Sequence, residues 1–206
     1  MKRLILLRHG ESHWNAEGRI QGQSCAGLSG RGQEQARATA RSFGAHYPGA
    51  LIAASDLQRT VETAEPIAEA VGGNIKQDER LRERHFGAWE GRLRRDVIEE
   101  DANRWQRFAR GDEVMGEIGG ETTPQLVDRC LPALRGWFDE MPDDETTIIV
   151  THGGTIWHGT HALLRLPVPS LGMVHNAAAM HLVAFDDRIW IERWNDQSHL
   201  PEPLRT

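Results

Sequence analysis

Leu4-Ile5-Leu6-Leu7 runs without interruption into Arg8-His9-Gly10. Four consecutive aliphatic residues read as a strand buried on both faces, because a strand with one wet face would alternate. The C-terminal end of such a strand is fixed in space, and in an open parallel α/β sheet that is the edge along which ligands bind. The arrangement returns at Thr147-Ile148-Ile149-Val150, followed by Thr151-His152-Gly153-Gly154. Two histidines therefore leave two strand ends, each with glycine behind it. Glycine lets the backbone approach a ligand and frees an N–H, that of Gly153 included, to point at it. Arg8 beside the first imidazole disfavours its protonated form and leaves a neutral, nucleophilic ring. Together these groups suit an anion.

Between the two strands, residues 11–25 are polar and glycine-punctuated, as a functional loop would be. Ser29 predicts an N-cap for a helix carrying Gly32, Ala36, Ala40 and Phe43 to about His46. Leu51-Ile52-Ala53-Ala54 reads as a second strand. Ser55 and Gln58 then form a capping box for a helix through Leu57, Val61, Ala64, Ala68 and Val71, in which Pro66 predicts a kink or an early break. Gly72-Gly73 ends that helix, and a short strand follows over 74–77. Residues 81–91 are too polar and irregular for core, with 86–91 an ordered loop. Residues 94–110 carry Val97, Ile98, Trp105 and Phe108 and read as one helix, and 111–121 as another loop. Thr122 or Thr123 caps a helix through Leu126, Cys130 and Leu134 to about Phe138, and residues 156–166 form a helix stopped by Pro167 and Pro169. Residues 180–185 and 189–194 are strand-like runs around Asp186-Asp187-Arg188, a hairpin signal. Strands alternating with helices predict an α/β fold with a mostly parallel central sheet, helices on both faces and a C-terminal hairpin.

A chain of 206 residues buries roughly 70% of its unfolded surface without staples, so one domain is expected. A net charge of −6 argues against non-specific nucleic-acid binding, and any positive potential must be local. No stretch approaches the roughly 18 apolar residues of a membrane span. Met1-Lys2-Arg3 resembles the start of a signal peptide, but the apolar run that follows is too short for one, and a cytoplasmic protein is expected. Cys25 and Cys130 make neither a metal-type spacing nor a disulfide framework. His158 and His161, at i and i+3, lack a third ligand, so no metal is expected.

Leu7-Arg8-His9-Gly10-Glu11, with Asn15, Gln21-Gly22, Ser55-Asp56-Leu57-Gln58-Arg59 and Val150-Thr151-His152-Gly153-Gly154, resembles the histidine phosphatase superfamily, in the branch that holds phosphoglycerate mutases and small phosphatases. The resemblance covers nearly the whole chain. It implies a three-layer α/β/α sandwich, a single domain over residues 1–206, with a helical and loop cap over the site around 81–121. It also implies that His9 takes the phosphoryl group, that Arg8, Arg59 and His152 donate to its oxygens, and that Asn15 and the Gln21-Gly22 backbone close the remaining face. Glu83 matches the position that protonates the leaving group. The tautomer of His9 would be held by a backbone carbonyl or by Glu11. Arg82 and Arg84, flanking Glu83, favour its ionised form, which an arriving phosphate dianion would offset. Glu121 matches a further recurring position with an orienting or structural role.

Arginine recurs at positions 80, 82, 84, 92, 94 and 95, and one or two of Arg84, Arg92, Arg94 and Arg95 could meet a carboxylate or second anionic group on the substrate. Many relatives carry Asp-x-Pro-Leu-Thr where this chain has Cys25-Ala26-Gly27-Leu28-Ser29, a change that loosens the loop over the site. Mutases of the family tend to be longer, with a tail and an insertion that keep water from the phosphoenzyme. Here only residues 195–206 follow the last strand, and their start, with Trp194, resembles the ending of small broad-specificity phosphatases. The expected activity is metal-independent hydrolysis of a small phosphate monoester through a phosphohistidine, with no cofactor. Phosphoglycerate mutase is the alternative, and a non-catalytic phosphate-ester binding module comes third. The expected partner is the small-molecule ester, with no nucleic acid or membrane; a homodimer is left open.

Overall fold

The computed structural model describes residues 1–24, 27–185 and 188–206. The opening aliphatic run forms β1 (Lys2–Arg8), which lies inside a six-stranded sheet. Its neighbours are β4 (Thr146–Thr151), parallel to it, and β5 (Ala179–Phe185), antiparallel. Outward from β4 come β2 (Leu51–Ala54) and β3 (Ile75–Gln77), both parallel, while β6 (Arg188–Asp196) pairs with β5 and completes the C-terminal hairpin. The order is β3-β2-β4-β1-β5-β6. Asp186 and Asp187, where the hairpin turn was expected, lie outside the described residues, as do Cys25 and Ala26.

Alternate residues of β1 serve opposite faces of the sheet, which is why four in a row must be apolar. Leu4 and Leu6 pack with Ile149 and with α6 (Thr123–Glu140) and α7 (Gly153–Leu164) through Leu134, Phe138 and Ile156. Ile5 and Leu7 pack with Ile148 and Val150 and with α2 (Gly30–His46) and α3 (Gln58–Val71) through Phe43, Ile67 and Val71. Helix pairs thus cover both faces, giving the expected three layers. A short α1 (His13–Glu17) lies in the loop after β1 and is closed by a capping box from Ser12 to Asn15.

Several local expectations are corrected. Ser55 makes no capping box: α3 begins at Gln58, with Leu57 as an N-cap that offers no side-chain bond. Pro66 does not break α3, because burial of Ala64, Ile67, Ala68 and Val71 on the core side outweighs one lost backbone bond. Residues 94–110 form two helices, α4 (Arg94–Glu100) and α5 (Ala102–Ala109), since Asp101 leaves helical geometry and caps the second through the Arg104 N–H at 3.0 Å. The helix after His152 starts at Gly153, earlier than expected, so that His152 is its N-cap. Nor is 81–91 free of core. Leu81 is fully buried against the sheet, and Trp89 joins Ile20, Val97, Val114 and Met115 in a separate apolar cluster with Phe86, Trp105, Phe108 and Ile118 around it. Aromatic contacts are period-free, so the polar letters between them hid this cluster from a pattern reading.

The loop after His9 rests directly on the first turn of α2. A Cβ at Gly32 would lie 1.9 Å from the Glu11 carbonyl oxygen, whereas one at Gly30 would meet nothing within 4 Å. Alanine gains about 1 kcal/mol over glycine in a helix, but overpacking against fixed backbone costs about 1–3 kcal/mol or more. Gly32→Ala is therefore expected to lower the urea midpoint at unchanged m, while Gly30→Ala leaves it equal or higher.

Candidate active site

Parallel pairing of β1 with β4 sets Arg8 opposite Thr151, so the next residues, His9 and His152, leave the sheet side by side. Their rings are 5.2 Å apart, edge to face, and both are buried. Arg59, near the start of α3, is 1% exposed and reaches between them. Its Nε donates to His9 Nε2 at 3.2 Å and its Nη2 to His152 Nδ1 at 3.1 Å. The same guanidinium donates to the Gly22 carbonyl at 2.7 Å and the Ser24 carbonyl at 3.0 Å.

These bonds fix protonation. His9 Nδ1 lies 2.7 Å from the Gly10 carbonyl, which can only accept, so Nδ1 carries the proton and Nε2 presents its lone pair. The backbone carbonyl therefore holds the tautomer; Glu11 instead accepts from the Ser29 hydroxyl at 2.8 Å. Burial, then Arg59, then Arg8 hold the His9 pKa well below the ordinary imidazole range. His152 is held low by burial first and by Arg59 next. Because Arg59 occupies its Nδ1, neutral His152 keeps its proton on Nε2 and donates to the Ser55 hydroxyl at 3.0 Å.

The remaining candidates divide by position. Arg8 is pinned through Nη1 to the Val174 carbonyl at 2.6 Å, its Nε is buried with no hydrogen-bond partner, and Gly153 packs against its side chain. Asn15 accepts from Asn176 at 3.1 Å, and Asn176 also reaches the His9 carbonyl at 3.3 Å. Gln21 accepts from the Ser12 hydroxyl at 2.8 Å. Gly22, at φ 56°, turns its carbonyl rather than an N–H toward Arg59. Glu83 lies at the start of α7, where its carboxylate accepts from the Gly154 N–H at 3.1 Å and from the Arg84 N–H at 2.9 Å. Charge at that end of a helix is favoured by the dipole.

Neither flanking arginine forms a side-chain ion pair with Glu83. Arg82 is taken up by Asp56. Arg84, 6% exposed, bonds Thr123 at 2.8 Å and His158 at 3.0 Å. The arginine group is thereby separated: Arg92 pairs with Glu100 and Arg95 with Asp96 at the surface. Arg94 shows no side-chain partner among the described residues, lines a cleft of about 300 Å³ with Glu17, Gly18, Leu93 and Arg95, and adds its charge to the field that depresses the Arg8 pKa, after burial and against Glu83. Among the described residues no group of three His, Cys, Asp or Glu is placed to hold a metal ion.

Sequence reasoning missed several supports. Thr63 accepts from the Gly10 N–H at 3.1 Å. Arg129, braced by both oxygens of Glu121, holds the carbonyls of Arg80 and Arg82 at 2.8 and 3.0 Å and so fixes the turn that carries Glu83. Glu121 thus supports that turn through Arg129. Ser55 stood in the motif but for another purpose, and nothing in spacing marked Thr63, Arg129 or Asn176.

The structure thus sets two paired imidazoles and a buried guanidinium together at one end of the sheet of a three-layer α/β/α scaffold. The sequence profile of the histidine phosphatase superfamily (branch 1) matches residues 4–197, and the chain belongs to that superfamily. It is 36% identical to a glucosyl-3-phosphoglycerate phosphatase of Mycolicibacterium vanbaalenii over 95% of each chain. It is likewise 36% identical to a probable phosphoglycerate mutase of Citrobacter koseri, covering 98% of this chain and 97% of that one. A solved mycobacterial glucosyl-3-phosphoglycerate phosphatase in complex with VO3 superposes with a TM-score of 0.86 at 35% identity, over 95% of this chain and 99% of that one. The chain is a phosphoric monoester hydrolase of the histidine phosphatase type. No helix among the described residues is long and apolar enough to cross a membrane.

Three further imidazoles are pushed low by burial, His158 to about 3, His199 to about 4, and His181 in the same direction. An unfolded chain binds those protons near pH 6.5, so stability is complete above that value and falls as the pH drops toward the folded values. Each histidine contributes a slope of up to about 1.4 kcal/mol per pH unit. Urea unfolding between pH 7 and 5 should show this decline, and His158→Gln should flatten it by about one proton's share; an unchanged slope would place the linked protons elsewhere.

Proposed function

We propose that this chain hydrolyses a small phosphate monoester through a phosphohistidine on His9. The observation that carries this reading is the clamp of Arg59 across two neutral imidazoles, with the His9 proton committed to Gly10 and the Nε2 lone pair aimed at the guanidinium. An arriving phosphoryl dianion takes over donors of Arg59 and meets the unpartnered Nε of Arg8 and the N–H groups that open α7 at Gly153. His9 Nε2 then attacks phosphorus, the bond to the ester oxygen breaks, and Glu83 in its acid form gives that oxygen its proton. In the second half Glu83, now a carboxylate, takes a proton from water as that water attacks phosphorus. The P–N bond breaks, freeing neutral His9 and inorganic phosphate.

His152 takes part as a donor only after its proton moves to Nδ1. Ser55 suits that change, because a hydroxyl can accept from Nε2 in the resting site and donate to it once Nδ1 faces a phosphoryl oxygen. Asn15, Gln21 and Gly22 line and order the same cradle, Gly22 by holding Arg59. Every role in the scheme falls to a protein group, and none is assigned to a metal or organic cofactor.

For the substrate class we propose phosphoglycerate-derived esters, in which a carboxylate accompanies the phosphate, as the names of the phosphatase relatives suggest. Of the four arginines first considered, Arg94 fits the carboxylate best. The segment 81–121 would close over this pocket as a cover within one domain spanning residues 1–206. The reading places the enzyme in the cytoplasm with a small-molecule partner and, at a net charge of −6, away from nucleic acid. A homodimer would leave the chemistry unchanged.

Rapid quenching during turnover should trap an acid-labile phosphoryl group on His9 that is absent in His9→Ala, with inorganic phosphate rather than an isomerised ester accumulating. A stable isomer as the main product would favour the mutase, and turnover with no phosphohistidine would sink the scheme. Arg94→Ala should raise KM for a carboxylated phosphate ester by about tenfold, the worth of one charge-assisted bond, and leave a neutral ester unchanged. Equal losses on both esters would remove Arg94 from recognition.

A further inference from the structure

Arg59 can hold both imidazoles only if the chain at 22–24 presents two carbonyls at the right place, and that stretch has no regular secondary structure to fix it. What fixes it is a carboxylate from another loop. Glu90, whose side chain is 11% exposed, accepts the Gln23 N–H at 3.0 Å and the Ser24 hydroxyl at 2.7 Å. The same Oε1 that takes Gln23 also takes the Phe86 N–H at 2.9 Å. Gly22 lies hard against this carboxylate: a Cβ there would be 1.8 Å from Oε1. Gln23 in turn donates from Nε2 to the Glu83 carbonyl at 3.1 Å.

One carboxylate thus ties together the loop that aims Arg59 and the loop that carries Glu83. We propose that Glu90 is a positioning residue, which sets the geometry of the His9 nucleophile through the 22–24 backbone and Arg59 and holds the Glu83 turn in register with it. The role is geometric rather than electrostatic. Glutamine can keep it, because its Oε1 still accepts two N–H groups while its Nε2 donates to the Ser24 oxygen. Aspartate keeps the charge but is one methylene too short to span both loops.

The inference rests on His9 as nucleophile, and its test has a readout that does not need turnover. Glu90→Asp should lower kcat/KM on p-nitrophenyl phosphate by on the order of 10²-fold, the cost of about 1 Å of misplacement at the reacting groups. Glu90→Gln should stay within about threefold of wild type. His9 is faced by Arg59 from α3, His152 from the end of β4 and Arg8 on its own strand. Withdrawing Arg59 removes one opposing positive charge, so in Glu90→Asp the imidazole should protonate at higher pH. That shift is read both in the acid limb of kcat/KM and in the ¹⁵N chemical shifts of His9 in the ligand-free protein. The opposite ranking, with aspartate active and glutamine not, would overturn the inference in favour of charge. Losses that follow only the folded fraction, with the wild-type pH profile and His9 shifts, would reduce Glu90 to a structural residue and overturn it as well. An inactive wild-type enzyme would count against the phosphatase reading alone, since the ¹⁵N comparison would still judge Glu90.

Discussion

Taking a guanidinium out of water costs several kcal/mol unless its donors are met, and Arg59 is 1% exposed. Two backbone carbonyls and two ring nitrogens take four of them, drawn from the 22–24 loop, the end of β1 and the end of β4. Each imidazole must then be neutral with a lone pair directed at one point. The clamp therefore does two things at once: it satisfies a buried cation, and it orients two bases around a place where an anion can substitute for their lone pairs. Under the proposed mechanism a phosphoryl group meets a positive charge already desolvated and fixed, so little reorganisation is left for the reacting state.

That point exists because β1 sits between β4 and β5 with apolar residues toward both helical layers. The parallel ladder that pairs Arg3 with Thr146 through to Arg8 with Thr151 sets the relative height of His9 and His152. Loops then complete what strands begin. The Glu83 turn is held by Arg129 and by the N–H of Gly154, the Arg59 loop by Glu90, and the loop after His9 by Thr63 and the first turn of α2. The ends of β1 and β4 carry the two histidines and α3 carries Arg59, while hydrogen-bonded loops carry Glu83 and the carbonyls that meet Arg59.

The 81–121 region stands apart in its packing. Its aromatic residues Phe86, Trp89, Trp105 and Phe108 contact one another at ring separations of 5.6 to 6.0 Å rather than joining the two layers beside the sheet. A small cluster with its own contacts can vary in sequence without disturbing the main core. The paired histidines and this aromatic cluster are in this way held by different parts of the molecule.

The order of strands and helices, the buried character of β1 and β4, and the pairing of His9 with His152 were legible in the letters, because unbroken aliphatic runs and glycine after histidine are local signals. Arg8 was legible beside His9 at the strand end, whereas Arg59 and Glu83 followed from a resemblance whose motifs span most of the chain. Direction of side chains was not legible. Arg82 and Arg84 flank Glu83 in sequence yet turn to Asp56 and to Thr123 and His158, and Ser55 meets His152 and the Leu57 N–H without forming a capping box. Composition and spacing fix what can be buried and where the chain must turn. Which partner a buried donor finds depends on contacts between residues tens of positions apart, and only the tertiary structure, by bringing Glu90 under Gly22 and Gly154 against Glu83, decides it.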